Sequence, residues 1–212
     1  VFYYLTVGNE NYAQPSMPEG VREGVLRGMY PLSADGKKEK GKRKKGGQPS
    51  VQLLASGAIL SQALQAAELL AEFGVDAHLW SVTSWTELQR DGIDCERRTR
   101  VAFDADPTLP YVTQQLGKSQ GPVIAASDYV RALPELIRAF VPRRYITLGT
   151  DGFGRSDTRA GLRDFFEIDA RAIAFAALKA LADDGEYSRQ ALAAAAVTLG
   201  WAERSVDAPW VR

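Results

Sequence analysis

A glycine-rich stretch carries the best local signal for chemistry in this 212-residue sequence. Its letters, GTDGFGRSD from 149 to 157, follow a short apolar run and precede a helical pattern. Glycines adopt positive φ and leave backbone amides exposed, so such a turn at a helix start can hold an anion. The same residue types also form a tight turn in which Asp151 and Ser156 or Asp157 cap orphan amides. Both interpretations stay open for the candidate residues Gly149, Asp151, Gly152, Gly154, Arg155 and Ser156.

The single histidine and the single cysteine are two further candidates. His78 shares a strand face with Asp76, and a hydrolase could use such a pair as general base and orienting carboxylate. Sites of parallel sheets form beyond the carboxyl ends of the strands, however, so mid-strand His78 is expected to be a packed residue. Cys95 lies close to Asp91 and Asp94, whose charges oppose a thiolate. From residue types alone we predict no catalytic, cofactor-binding or metal-binding residue.

The composition is that of an ordinary globular protein, with 45% apolar residues, 25% charged residues and a formal net charge of zero. One cysteine excludes an internal disulfide framework, and with one histidine it leaves too few soft ligands for a structural zinc site. No apolar run reaches the roughly 18 to 20 residues of a membrane span, so we expect a cytoplasmic protein without a membrane partner. Because the sequence starts at Val1 without methionine, we expect that an upstream segment has been removed.

A strongly basic stretch divides the sequence. Seven of the nine residues from 37 to 45 are Lys or Arg, and glycines interrupt and flank the run. Such a run could neutralise phosphates, but it has no aromatic residue for base stacking and no helical period, which favours a solvated loop over a nucleic-acid site. The predicted organisation is therefore a tail of a preceding domain (1–32), a flexible basic loop (33–50) and a main domain (51–212).

Short apolar runs alternate with helical patterns along the main domain, which indicates parallel βαβ units. We predict the α/β class, with a three-layer α/β/α architecture and a mostly parallel sheet. The predicted strands are 1–7, 51–56, 75–82, 122–127 and 144–149. The predicted helices are 19–30, 59–73, a Ser-capped segment from 84, 111–116, 129–140 with a kink or late start at Pro134, 159–166, 170–185 and 188–200.

Four long segments carry a resemblance to a known family. They are NENYAQPSMPEGVREGVLRGMYPL, SVTSWTELQRDGIDCERR, PVIAASDYVRALPELIRAFVP and YITLGTDGFGRSDTRAGLRDFFEID. In this order they resemble the C-terminal part of the homodimeric, bacterial-type pyruvate dehydrogenases. This family belongs to the transketolase-like, thiamine diphosphate-dependent superfamily. The resemblance implies a transketolase C-terminal-like fold for the main domain, and it implies that residues 1–32 are the tail of the preceding pyrimidine-binding domain. The basic run at 37–45 and the end, WAERSVDAPWVR, depart from the family pattern.

The resemblance also implies a function for the whole enzyme. Such an enzyme decarboxylates pyruvate on thiamine diphosphate with magnesium and passes the two-carbon unit to a lipoyl group of the dihydrolipoamide acetyltransferase component. The family holds the cofactor with a G-D-G motif followed by Asn-Asn, and this sequence contains neither. The resemblance thus implies no cofactor on this chain, and a structural and dimerisation role for a domain that is inactive alone. Its expected partners are the rest of the parent chain, a second copy and the acetyltransferase.

Two other hypotheses remain beside the family one. The first is a regulatory anion- or nucleotide-binding module that uses the Gly149–Arg155 loop. The second is a free-standing hydrolase that uses His78 and Asp76.

Overall fold

The computed structural model describes Phe2, residues 11–32 and residues 48–211, with the side chain of Trp210 excepted. The predicted strand at 1–7 and the basic run at 37–45 therefore lie outside the described residues, apart from Phe2. Five strands form one sheet: β1 Met29–Leu32, β2 Ser50–Ala55, β3 Asp76–Val82, β4 Val123–Ala126 and β5 Tyr145–Leu148. The α-helices are α1 Arg22–Arg27, α2 Leu60–Glu72, α3 Trp85–Val101, α4 Tyr111–Leu116, α5 Ala132–Glu135, α6 Arg159–Phe165, α7 Ala170–Asp183 and α8 Arg189–Thr198. Three short 3-10 helices cover Gly57–Ile59, Arg138–Phe140 and Pro209–Val211.

The sheet has the order β1-β3-β2-β4-β5, and all neighbours except β1 and β3 are parallel. The central strand β2 is buried on both faces because helices cover both sides, as a strand of apolar residues requires. This arrangement confirms the predicted α/β class with a mostly parallel sheet. Among the described residues, no helix combines the length and apolar character needed to cross a bilayer.

Alternation along β2 divides the core into two clusters. Val51, Leu53 and Ala55 join a cluster with the inner faces of α2, α7 and α8. Leu54 joins Trp80 in the second cluster, under α3 and α4. The sheet is therefore the middle layer of three.

One predicted element is wrong at its end. The pattern from 19 to 30 predicts one helix, but α1 ends at Arg27 and the chain then forms β1, which pairs antiparallel with β3. Gly28 causes the break: its φ is +102°, and a Cβ there would lie 2.6 Å from the carbonyl oxygen of Ser84. The sheet thus includes Met29–Leu32, four residues that the sequence analysis placed with a preceding domain.

The second difference concerns residues 129–140, where one helix with a kink or late start at Pro134 was predicted. The structure has only the four-residue α5, followed by the 3-10 helix at Arg138–Phe140. Pro134 removes one backbone donor and disfavours helical geometry before it, which accounts for the absence of a regular helix from residue 129.

Gln52 is a fully buried polar side chain in the centre of the sheet. Its Oε1 accepts a hydrogen bond from Trp80 Nε1 at 2.9 Å, and its Nε2 donates to the carbonyl oxygen of Gln120 at 3.1 Å. Both hydrogen-bonding groups of the amide are thereby satisfied, as burial demands.

We expect Gln52→Leu to lower the free energy of unfolding by about 1 kcal/mol, because the indole N–H of Trp80 loses its acceptor. Urea unfolding of both proteins measures the difference. Adding Trp80→Phe to Gln52→Leu removes the donor that has lost its acceptor, so the double variant should be only slightly less stable than Gln52→Leu alone. A double variant that loses the full sum of the two single effects would contradict this explanation.

Candidate functional site

The candidate site lies at the carboxyl edge of the sheet, where ligands of open α/β sheets bind. The loop after β5 contains the glycine-rich stretch of the sequence, and the loop after β4 lies beside it. Their backbones touch: Thr150 N donates to the carbonyl oxygen of Tyr129 at 2.9 Å. A Cβ on Gly149 would lie 2.6 Å from that same carbonyl oxygen, so only glycine permits this approach.

Asp151 links the two loops through Arg131. Its carboxylate accepts from the backbone N–H of Arg131 at 2.9 Å, and it also forms an ion pair with the guanidinium of that residue. Asp151 therefore satisfies an amide at the start of α5, and not one in the helix that follows its own loop. The sequence predicted the residue as a cap but not its partner, which lies 20 positions earlier.

The remaining predicted residues extend along the outside of the edge. Gly152 has a φ of +93°, and a Cβ on Gly154 would meet nothing within 4 Å. The guanidinium of Arg155 lies 4.4 Å from the centre of the Phe165 ring, while Ser156 is exposed. These four residues form a turn that projects into solvent.

The cap of α6 differs from the predicted one. Its N-cap is Thr158, whose hydroxyl accepts from the backbone N–H of Gly161 at 3.1 Å. Asp157 instead accepts from the N–H of Thr158 at 2.6 Å. Ser156 and Asp157 are therefore not the N-cap, since the helix begins one or two residues later than the capping argument assumed.

Helix α6 rests on the neighbouring segments, and none of its seven residues is buried. Arg163 Nη2 donates to the hydroxyl of Tyr12 at 3.2 Å, and the guanidinium groups of Arg159 and Arg163 lie within 6 Å of that ring, at 5.8 and 5.7 Å. On its other side, Asp164 accepts hydrogen bonds from Arg171 and Arg204. Helix α6 is thus held by cations near an aromatic ring and by partly exposed ion pairs, and not by buried apolar side chains of its own.

A cavity of about 200 Å³ opens beside the glycine loop. Most of its lining residues were not predicted from the sequence. Arg131 could have been, because it follows the neighbouring strand β4 and the carboxyl ends of parallel strands meet at one edge of the sheet. Arg131 is the cationic side chain in the lining, against three carboxylates, those of Asp151, Glu167 and Asp207. An excess of negative charge disfavours an anion. The full lining is Arg131, Thr147, Leu148, Gly149, Asp151, Phe166, Glu167, Ser205, Val206, Asp207, Ala208 and Pro209.

Thr147, which lines the cavity, also contacts a charged pair formed by Glu135 and Arg138. Its hydroxyl donates to Glu135, which also accepts from Arg138 Nη2 at 2.7 Å. The hydrogen bond from Arg138, followed by that from Thr147, holds the pKa of Glu135 below its usual value, against the opposing effect of burial. Arg138 in turn donates to the carbonyl oxygen of Tyr145 at 2.9 Å, and burial raises the pKa of that tyrosine.

We expect Glu135 to give the fold a specific acid sensitivity. A carboxyl whose folded pKa is lowered stabilises the protein above its unfolded pKa of about 4.3, and this contribution disappears as the pH falls through the folded pKa. Glu135→Gln should therefore be less stable than the unaltered chain at pH 7 and equally stable well below pH 4. Urea midpoints at several pH values test this, with Glu96→Gln on the exposed surface of α3 as the control. A Glu135→Gln deficit that persists unchanged in acid would contradict it.

The other candidate groups lie elsewhere. Asp76 and His78 are at the start of β3, at the amino edge of the sheet and opposite the glycine loop. Cys95 is buried in α3, where burial and the carboxylates of Asp91 and Asp94 raise its pKa. A thiol in that state is a poor nucleophile. Over the described ranges, no group of three or more His, Cys, Asp or Glu residues is arranged to hold a metal.

The fold and the edge site define a three-layer α/β domain of a recognisable class. Residues 28–169 match the transketolase-like TK C-terminal domain family, and the chain belongs to that family. This confirms the fold that the resemblance implied.

The relatives are enzymes of one kind. The pyruvate dehydrogenase E1 component of Cupriavidus necator is 50% identical over 196 residues, 92% of this chain and 21% of that protein. The proteins of the same name from Pseudomonas aeruginosa and Mycobacterium tuberculosis are each 48% identical, covering 94% and 92% of this chain and 22% and 20% of theirs. The chain thus spans about a fifth of the length of the curated relatives it matches. A transketolase structure from Pichia stipitis aligns with a TM-score of 0.47 at 17% identity over 78% of this chain and 19% of that one.

Proposed function

We propose that this domain serves a pyruvate dehydrogenase of the E1 type as a structural and dimerisation unit that has no activity alone. The whole enzyme would decarboxylate pyruvate on thiamine diphosphate and reductively acetylate a lipoyl group of dihydrolipoamide acetyltransferase. The observation that carries the proposal is the 50% identity to the Cupriavidus necator protein across 92% of this chain, which is a fifth of that protein. The partners would be the rest of the enzyme, a second copy and the acetyltransferase.

The separation of the candidate groups supports a structural role. The glycine loop lies at the carboxyl edge of the sheet, Asp76 and His78 start β3 at the amino edge, and Cys95 is buried in α3. A nucleophile and its base must lie within hydrogen-bonding reach, which opposite edges of a sheet do not allow. Asp151 and Arg131 are engaged with each other.

The cavity at the carboxyl edge does not fit thiamine diphosphate. Its three carboxylates would repel the diphosphate, and its one arginine already forms an ion pair with Asp151. We therefore assign the cofactor and its magnesium to other parts of the proposed enzyme, and no step of the reaction to residues of this chain. The same charges oppose the alternative of an anion- or nucleotide-binding module at Gly149–Arg155.

Turnover of pyruvate tests the proposed absence of activity. The chain, supplied with thiamine diphosphate, magnesium and an artificial electron acceptor, should consume no pyruvate, whereas the full-length enzyme does so under the same conditions. Removing the domain from the full-length enzyme should abolish the dimer in light scattering and, with it, turnover. A shortened enzyme that stays dimeric would refute the dimerisation role.

Calorimetric titration of magnesium thiamine diphosphate into the chain tests the cofactor assignment. We expect no heat of binding. Heat of binding that Arg155→Ala removes, and that Arg90→Ala on α3 does not, would show that the glycine loop holds the diphosphate. The assignment of the cofactor to other parts of the enzyme would then be wrong.

A further inference from the structure

The last described segment of the chain crosses the carboxyl edge of the sheet. After α8, Gly200 turns the chain with a φ of +68°, and the backbone N–H of Trp201 donates to the carbonyl oxygen of Ala196 at 2.7 Å. Residues 205–209 then form one wall of the cavity, whose other walls include Gly149 and Phe166. The segment 201–209, which we name the C-terminal strap, therefore covers the place where an open α/β sheet receives ligands.

The side chains of Trp201 and Arg204 attach the strap to the body of the domain. The ring of Trp201 stacks on Phe175 of α7, with centroids 4.9 Å apart and planes 26° apart. Arg204 donates to the carbonyl oxygen of Asp164 at 3.1 Å and forms an ion pair with its carboxylate. Arg171 of α7 donates to that same carboxylate at 2.6 Å. Asp164 thus lies between one arginine of the strap and one of the body.

The strap buries few of its residues against the domain. Pro209 is its one buried residue, whereas Ser205, Val206 and Asp207 are exposed. The side chain of Asp164 is 43% exposed and that of Arg204 is 16% exposed, so solvent and salt reach the ion pair of the strap from the Asp164 side. Ion pairs that solvent reaches contribute little to stability and weaken with ionic strength.

We propose that the C-terminal strap is a releasable cover of the cavity, fastened by Asp164 and Trp201, that opens without unfolding the sheet. Opening uncovers the loop at 149–151 and the segment at 166–167. The inference concerns access to the cavity and does not depend on the proposed enzyme activity.

Proteolysis by trypsin detects the open strap directly. The protease must draw the arginine side chain into its own specificity pocket, so Arg204 has to leave Asp164 before the chain is cut after it. We expect Asp164→Asn to release the peptide 205–212 at least about fivefold faster, relative to the cut after exposed Lys118. Asp183→Asn is the matched control, because it removes a carboxylate of similar exposure, which pairs with Lys179 at 2.6 Å elsewhere on the surface.

Salt and hydrogen exchange distinguish release from general loosening. In the unaltered chain, release should accelerate between about 20 mM and about 0.5 M salt, while Asp164→Asn should lose this dependence. Trp201→Ala frees the other attachment without touching α6, and it should speed amide exchange in 149–151 and 202–208 but not in α7. Rates equal to those of Asp183→Asn, or exchange that rises equally in α7, would overturn the proposal.

Discussion

Gly121→Ala is expected to lower the free energy of unfolding by about 3 to 5 kcal/mol, because alanine there would have both an unfavourable left-handed backbone conformation and a steric clash. Gly121 has a φ of +79°, and a Cβ there would lie 1.6 Å from the carbonyl oxygen of Ser50. That oxygen belongs to the backbone at the start of the central strand β2, so it cannot rotate away as a side chain would. Urea unfolding at constant m-value measures the loss.

Gly74→Ala separates the two causes. Gly74 ends α2 with a nearly identical φ of +73°, but a Cβ there would meet nothing within 4 Å. This control should therefore lose only the conformational part, about 1 to 2 kcal/mol. Equal losses at Gly74 and Gly121 would show that the contact with Ser50 is unimportant.

Gly92→Ala is expected to lower the free energy of unfolding by a net of about 2 kcal/mol through overpacking of the core. Gly92 lies inside α3, and a Cβ there would come within 2.3 to 2.6 Å of three carbons of the Phe140 ring. Helix propensity alone would make alanine more stable than glycine by about 1 kcal/mol. The sign of the measured change therefore decides between the two effects.

A double-mutant cycle assigns the loss to the ring. Phe140→Leu removes part of the ring, so Gly92→Ala should be less harmful in that background than alone. Gly154→Ala is the control: its Cβ would meet nothing within 4 Å, and we expect a change within about 0.5 kcal/mol. If the losses of stability caused by Gly92→Ala and Phe140→Leu simply added, the steric overlap between the new Cβ and the ring would not be their cause.

The long elements of the main domain could be predicted because their apolar periods extend over several turns or a whole strand. The end of the segment 19–30 could not, because Met29 and Tyr30 are apolar and continue the period of a short helix as well as they fit a strand. What makes them a strand is pairing with residues 79–82, some 50 positions later. Over so short a segment, such tertiary contacts outweigh the intrinsic secondary-structure propensity of the residues.

The location of the candidate site could also be predicted, but its chemistry could not. Residues 149–156 were expected at a strand end, and the structure places them there. The partner of Asp151 comes from a different loop, and the cavity walls come from residues 166–167 and 205–209. Local spacing predicts a turn or a cap, whereas the charge balance that disfavours an anion depends on carboxylates distant in sequence.

Two adjacent residues of α6 hold the two outer segments of the described chain. Arg163 contacts Tyr12 near its beginning, and Asp164 contacts Arg204 near its end. Unfolding of this seven-residue helix, which has no buried side chain, would break both contacts at once. The first and the last described segments would then loosen together, although they lie far apart in the sequence.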